Sequence, residues 1–183
     1  RRLVAIRMYL DTEYFMNTIG ATVGAEDVEN VCSFGDTGSV WYKFTPATSG
    51  VYEFSAAGSD YSPNISVLRY VSSTSRTPVV CNRPQLAFDG YYKLAFYASA
   101  GVTYLVRVSD DMGGNLKLQV TRKTCPSGYL CGAAIGGDGQ TIHDPDVRVL
   151  DSGGNVRASG RGELSGFIAM KLQEGISGKF TVV

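Results

Sequence analysis

His143 is the chain's single histidine, and it stands in TIHDPD beside Asp144 and Asp146. A hydrolytic triad would need it as base, one of these aspartates as orienter and a serine as nucleophile. No GxSxG elbow accompanies it, so the stretch reads more simply as a surface loop. Oxygen ligands recur elsewhere: Asp110, Asp111 and Asn115 share one turn, and Asp144, Asp146 and Asp151 a second stretch. Such oxygens could hold calcium. Neither set has EF-hand spacing, and Asp and Asn also close β-turns through their own backbone bonds. No other cofactor is indicated: one histidine excludes a multi-histidine metal centre within the chain, and GGDG at 136–139 lacks the Lys-Ser or Lys-Thr pair of a phosphate loop.

Four cysteines permit two disulfides in three connectivities. Cys125 and Cys131 bracket PSGYL, a Pro/Gly turn that could bring them together. Cys32 and Cys81 would then be left to pair, closing a loop worth about 4 kcal/mol in the chain-entropy model. Four reduced, buried thiols are the alternative; zinc lacks the paired CxxC units it favours. Tyr61, Tyr70, Tyr91 and Tyr97 could offer rings to a sugar or a protein, although strand propensity alone puts tyrosine on half-buried sheets. Asn64-Ile65-Ser66 is a formal glycosylation sequon.

The elements that must position these residues read as strands. Val40, Tyr42 and Phe44 alternate with Trp41 and Lys43, turn chemistry follows at 46–50, and Tyr52, Phe54 and Ala56 resume the period of two, a pattern that predicts a hairpin. Ile65 and Val67, then Val79 and Val80, continue it. Tyr92, Leu94, Phe96 and Ala98 lead through Ser-Ala-Gly to Tyr104, Val106 and Val108, and DDMGGN leads on to Leu116, Leu118 and Val120. Seven or eight strands with short turns predict an antiparallel two-sheet β-sandwich of jelly-roll or Ig-like type.

Four parts are predicted: an N-terminal strand or arm (1–17), the sandwich (18–121), a Gly-rich linker with a local disulfide (122–145) and a C-terminal β segment (146–183). The arm reads as a strand with Val4, Ile6, Met8 and Leu10 on one side, though Leu3, Ile6 and Leu10 also suit a short helix. At 183 residues the chain can bury one full core and a smaller second one. Lys plus Arg and Asp plus Glu both number 17, so no broad field draws it to nucleic acid or anionic lipid. No apolar run is long enough for a membrane span. Only 19% of residues are charged, beside 22 glycines and 11 tyrosines, a balance expected of extracellular or cell-surface all-β proteins. The start at Arg1 is read as processing or excision from a precursor.

The stretch DTGSVWYKFTPATSGVYEFSAAGSD, the CN at Cys81 and Asn82, and ASAGVTYLVRVSDDMGGNLKLQVT together resemble the bacterial pre-peptidase C-terminal domain family, over roughly 18–121. Members carry a vWYkFt-p-sG-y-f hairpin and an aGtTYyirV strand. The resemblance implies a secreted, non-catalytic β-sandwich that accompanies proteases and other surface proteins; some members bind collagen or polysaccharide, and some use calcium. An oxidising location accompanies the family and supports both disulfides. VRVLDSGGNV with the terminal FTVV is loosely similar to Ig-like and carboxypeptidase-regulatory modules.

Four strands are too few to enclose a core, so Val147, Val149, Phe167, Ala169, Phe180 and Val182 are expected to lack an opposing layer. The apolar run 3–10 is the available cover. Folded back on its own C-terminal segment it gives a monomer; inserted into a neighbour it gives a filament. Leu3, Val4, Ile6, Met8, Leu10, Phe180 and Val182 are thus the expected assembly residues of a homo-oligomer. The function expected is a structural subunit of a surface fibre or layer, alternatively a protein- or polysaccharide-binding accessory domain of a secreted hydrolase.

Overall fold

The computed structural model describes residues 4–24, 36–72, 75–82, 92–110, 112–172 and 181–182. They are all-β. The strands are β1 (Ile6–Arg7), β2 (Glu13–Asn17), β3 (Gly38–Phe44), β4 (Gly50–Ser55), β5 (Asn64–Tyr70), β6 (Arg76–Asn82) and β7 (Lys93–Ala98), then β8 (Tyr104–Asp110), β9 (Asn115–Arg122), β10 (Tyr129–Ala133), β11 (Asp146–Leu150), β12 (Val156–Arg161), β13 (Phe167–Lys171) and β14 (Thr181–Val182).

Two sheets form the central sandwich. The first runs β1-β3-β8-β5-β6 and the second β2-β9-β4-β7. The period-two residues meet between them: Tyr42, Phe44, Ile65, Val67, Val106 and Val108 face Phe54, Leu94, Phe96, Leu116, Leu118 and Val120 in one core. Rings lock the layers edge to face, Phe44 lying 5.2 Å from Tyr52 and 5.7 Å from Phe54.

The predicted β3–β4 hairpin is not formed. β3 pairs with β8, and β4 pairs with β7 and β9, so the turn at 46–50 crosses from one sheet to the other. The joints β7–β8 and β8–β9 cross in the same way. Alternation fixes which face of a strand is buried, and two strands that bury facing sides across a core satisfy it as well as two that lie side by side. True hairpins are β5–β6, with a bulge at Val67/Leu68, and β11–β12.

The arm is two strands rather than one. β1 lies parallel to β3, with Ile6 opposite Tyr42 and Arg7 opposite Lys43, which makes the first sheet mixed. Asp11, at φ 57°, turns the chain, and β2 pairs antiparallel with β9. Of the predicted row, Met8 alone enters the core, while Val4, Ile6 and Leu10 stay exposed.

The C-terminal segment also departs from expectation. The region read as a linker carries β10, a five-residue strand antiparallel to β13. Its approach is pinned by a Cys125–Cys131 disulfide, with S–S 2.06 Å, across the PSGYL turn. β10 and β13 cover the sheet β12-β11-β14, burying Val147, Val149, Ile168 and Met170. Phe167, with Cys131, Ala133 and Ala169, packs on Val51 and Ala95 of the second sheet. The expected shortage of cover at Val147, Val149, Phe167 and Ala169 is therefore met within the chain, by β10 and by the outer face of the sandwich. Val182 pairs with Val149, and Leu3 and Phe180 lie outside the described residues.

Tyr42 is a polar misfit of the core. It is fully buried, and its hydroxyl has no hydrogen-bond partner among the described residues. Burial, reinforced by Tyr61 and Tyr14, pushes the phenol up to about 12 from 10.0. A raised folded value makes ionisation costly to the fold, so stability holds below pH 10 and falls as pH rises through about 12. The neutral hydroxyl, buried without a partner among the described residues, carries a desolvation cost at any pH. Tyr42→Phe should therefore raise unfolding stability by about 1 kcal/mol at neutral pH and flatten the alkaline limb of a pH series of urea melts. An unchanged or lowered midpoint would contradict this.

Candidate functional site

The predicted ligand residues do not converge. Asp110 Oδ2 accepts the Met112 and Gly113 N–H groups at 3.3 and 3.2 Å, which closes its own turn. Asn115 donates to both carboxylate oxygens of Asp60, at 2.7 and 2.8 Å, and its Oδ1 accepts from Asn17. Asp111 lies outside the described residues, among which no set of three or more His, Cys, Asp or Glu side chains could hold a metal. Asp144 pairs with Arg161 at 2.7 Å, and Asp151 with Arg157. His143 sets Nδ1 against the Leu164 carbonyl. At 136–139 the backbone closes a turn, Gly139 N–H donating to Gly136 O.

Asp151 organises the β11–β12 hairpin. Its Oδ1 accepts the backbone N–H groups of Asn155 and Gly153 at 3.0 and 2.9 Å, and Oδ2 takes Arg157 Nε at 2.8 Å. The Asn155 backbone bond first, then Arg157 and the Asn155 side chain, hold this carboxyl well below the usual carboxylate range. A lowered folded value gives stability present above the ordinary 3.8 and lost as pH falls below it. Asp151→Ala should therefore lower the amide protection factors at 147–160 at neutral pH, and acid should lower those of the parent chain. Equal protection in variant and parent would rule this capping role out.

Of the four tyrosines, Tyr97 and Tyr70 face solvent, Tyr97 at 61% exposure. Tyr61 is half-buried and accepts Thr18 Oγ1–H at 3.0 Å, and Tyr91 lies outside the described residues. Tyr97 borders a cleft of about 360 Å³ with Arg122, Lys123, Thr124 and the Cys125–Cys131 bridge. Cys81 is disulfide-bonded; its expected partner Cys32 lies outside the described residues.

Sequence reading missed two charge networks. Arg107, on the β8 face that alternation turns away from the core, is fully buried, and its Nη1 meets Asp36 Oδ2 at 2.8 Å. Ser109 and Asn64 also donate to Asp36, each at 2.7 Å. The signal was present in Trp41, Leu68 and Leu105, large apolar residues at outward positions, which form their own cluster with Ala5. A second network docks the C-terminal segment: Lys123 joins Glu163 at 2.6 Å and buried Glu53 at 3.5 Å, and its ammonium lies 4.7 Å from the Phe167 ring centre.

These contacts make the two sides of the sandwich unequal. On one side the C-terminal segment occupies the sheet edges: β7 donates Ala95 N–H to Ser165 O at 2.8 Å, and β6 exchanges bonds with Gly139 and Thr141 through Cys81. On the other side the arm supplies both edge strands. It is fastened by Met8 N–H to Lys43 O, Asp11 N–H to Val120 O, and Tyr9 N–H to the Tyr14 hydroxyl. Val4, Ile6, Tyr9, Leu10 and Phe15 stand exposed along it, Val4 at 85% and Phe15 at 70%, with Ile19 and Val23 exposed just beyond. Among the described residues no strand pairs with the outer side of β1 or β2, and an unpaired edge flanked by apolar side chains is equipped for pairing with another chain. No helix among the described residues is long and apolar enough to cross a membrane. A scan against protein-family models gives no match, and a search of the curated proteins gives none either.

Proposed function

We propose that the chain is a non-catalytic, extracellular β-sandwich subunit with a structural role, joined to further copies by exchange of its N-terminal arm. The observation that carries this reading is the arm's double duty. Residues 4–17 give each sheet an edge strand and give the core Met8. The same residues set into a neighbour would rebuild every contact they make at home. An exchange that runs head to tail does not close on itself, so repetition yields a filament. An extracellular location is supported by the Cys125–Cys131 bond and by the resemblance of 18–121 to secreted pre-peptidase domains. Electron microscopy and light scattering of the full chain across a concentration series test this. Linear polymers that an excess of a 4–17 peptide disperses are expected; a monodisperse monomer at high concentration ends the fibre reading.

One observation favours the accessory-domain alternative. The Tyr97 cleft combines an exposed ring with the Arg122 and Lys123 side chains, a pairing suited to an extracellular polysaccharide or protein. Retention of the monomer on such a matrix, abolished by Tyr97→Ala, would support it over assembly.

A further inference from the structure

Asp144 and Pro145 form the one Asp-Pro pair of the sequence. Proline holds the residue before it in extended conformations, yet Asp144 has φ 51°. A non-glycine residue there persists only where its surroundings impose it. Here three contacts do so. Asp144 N–H donates to Glu163 O at 3.1 Å, and Gly162 N–H donates to Pro145 O at 2.8 Å. Gly162 lies so close over the proline ring that a Cβ would fall 2.7 Å from Pro145 Cγ.

Arg161 then bridges the two ends of one residue. Its Nη2 lies 2.7 Å from Asp144 Oδ2 and its Nε 3.4 Å from the Asp144 backbone oxygen. The planar guanidinium presents these two donors side by side, so it seats the carboxylate next to the carbonyl of the Asp-Pro bond while polarising that carbonyl. A nucleophile, an electrophile and a donor for the developing oxyanion thus lie together.

We propose that the fold makes Asp144–Pro145 a self-cleaving bond. The Asp144 carboxylate oxygen adds to its own backbone carbonyl carbon, and the developing oxyanion faces Arg161 Nε. The bond to the Pro145 nitrogen then breaks, its electron pair stays on that nitrogen, and a proton from solvent joins it. The products are a five-membered cyclic anhydride at Asp144 and the secondary amine of Pro145. Water opens the anhydride to two carboxyl groups, so the net change is hydrolysis of one peptide bond by one water. Pieces 1–144 and 145–183 stay associated through the β10–β13 ladder and the packing of Phe167 on Val51 and Ala95. This inference is independent of the assembly reading.

The test compares one chain in two states. The full chain is held in mild acid, folded or unfolded in urea at the same pH, and intact mass follows the appearance of 145–183. The folded chain should be cut at this bond at least about tenfold faster than the unfolded one, since orientation supplies rate that local sequence does not. Arg161→Gln should bring the folded rate down to the unfolded rate, and Pro145→Ala should stop cleavage by providing a poorer leaving group. Circular dichroism checks that both variants fold; if either does not, the parent comparison alone decides. A folded chain cut no faster than the unfolded one overturns the proposal.

Discussion

Asp36→Ala should cost about 3–5 kcal/mol of folding stability, because it leaves a buried guanidinium without its counter-charge. Arg107 has no exposed side-chain surface and Asp36 only 3%. The carboxylate is also the acceptor for Ser109 on β8 and Asn64 on β5, so its loss strands further donors on both strands. Removing both charges is a different change. Asp36→Ala with Arg107→Met takes away the charge together with its partner, and an apolar replacement of a whole buried pair is often neutral. The double variant should therefore be more stable than Asp36→Ala alone. Urea melts read both values. A loss below about 1 kcal/mol for Asp36→Ala would mean that water reaches Arg107 and screens it. The network matters for assembly because Asp36 lies two residues before β3, the strand on which β1 docks.

How far the sequence specifies this molecule differs from residue to residue. Tyr42, Phe44, Phe54, Leu94, Val106 and Leu118 are core by alternation, and they are core in the fold; burial on one side of a strand is a local property that period two records directly. Pairing is not local. Nothing in the turn at 46–50 separates a hairpin from a crossing between sheets, since both reverse the chain and both bury the same faces. β10 escaped notice because Gly132 and the bridged Cys131 interrupt any apolar period, and its order comes from β13 and the disulfide rather than from its own side chains. Alternation sets Arg107 on the β8 face opposite Val106 and Val108, but that face is not solvent, because Trp41, Leu68 and Leu105 are packed there as well. Asp144, Glu163 and Arg161 came together through the return of β12 on β11, a register that spacing along the chain does not contain.

Deleting residues 1–17 should destabilise the chain by more than the loss of Met8 packing alone, about 2–5 kcal/mol for truncation to alanine, because β3 and β9 lose their edge partners in the same step. A peptide of residues 4–17 should bind the truncated chain in trans and restore its urea midpoint, since a strand supplied separately makes the same ladders. Met8 is buried in the common core, so Met8→Ala in the peptide should weaken binding by about thirtyfold or more, the equivalent of about 2 kcal/mol. Val4 and Phe15 face solvent, and alanine at either should change binding by less than about threefold. Calorimetry of the four peptides against one truncated chain gives the ranking. A Met8→Ala peptide that binds as well as the parent, or a truncated chain that melts where the full chain does, would show that the arm is an ornament on the sandwich rather than part of it. Exchange between copies would then have nothing to hold it.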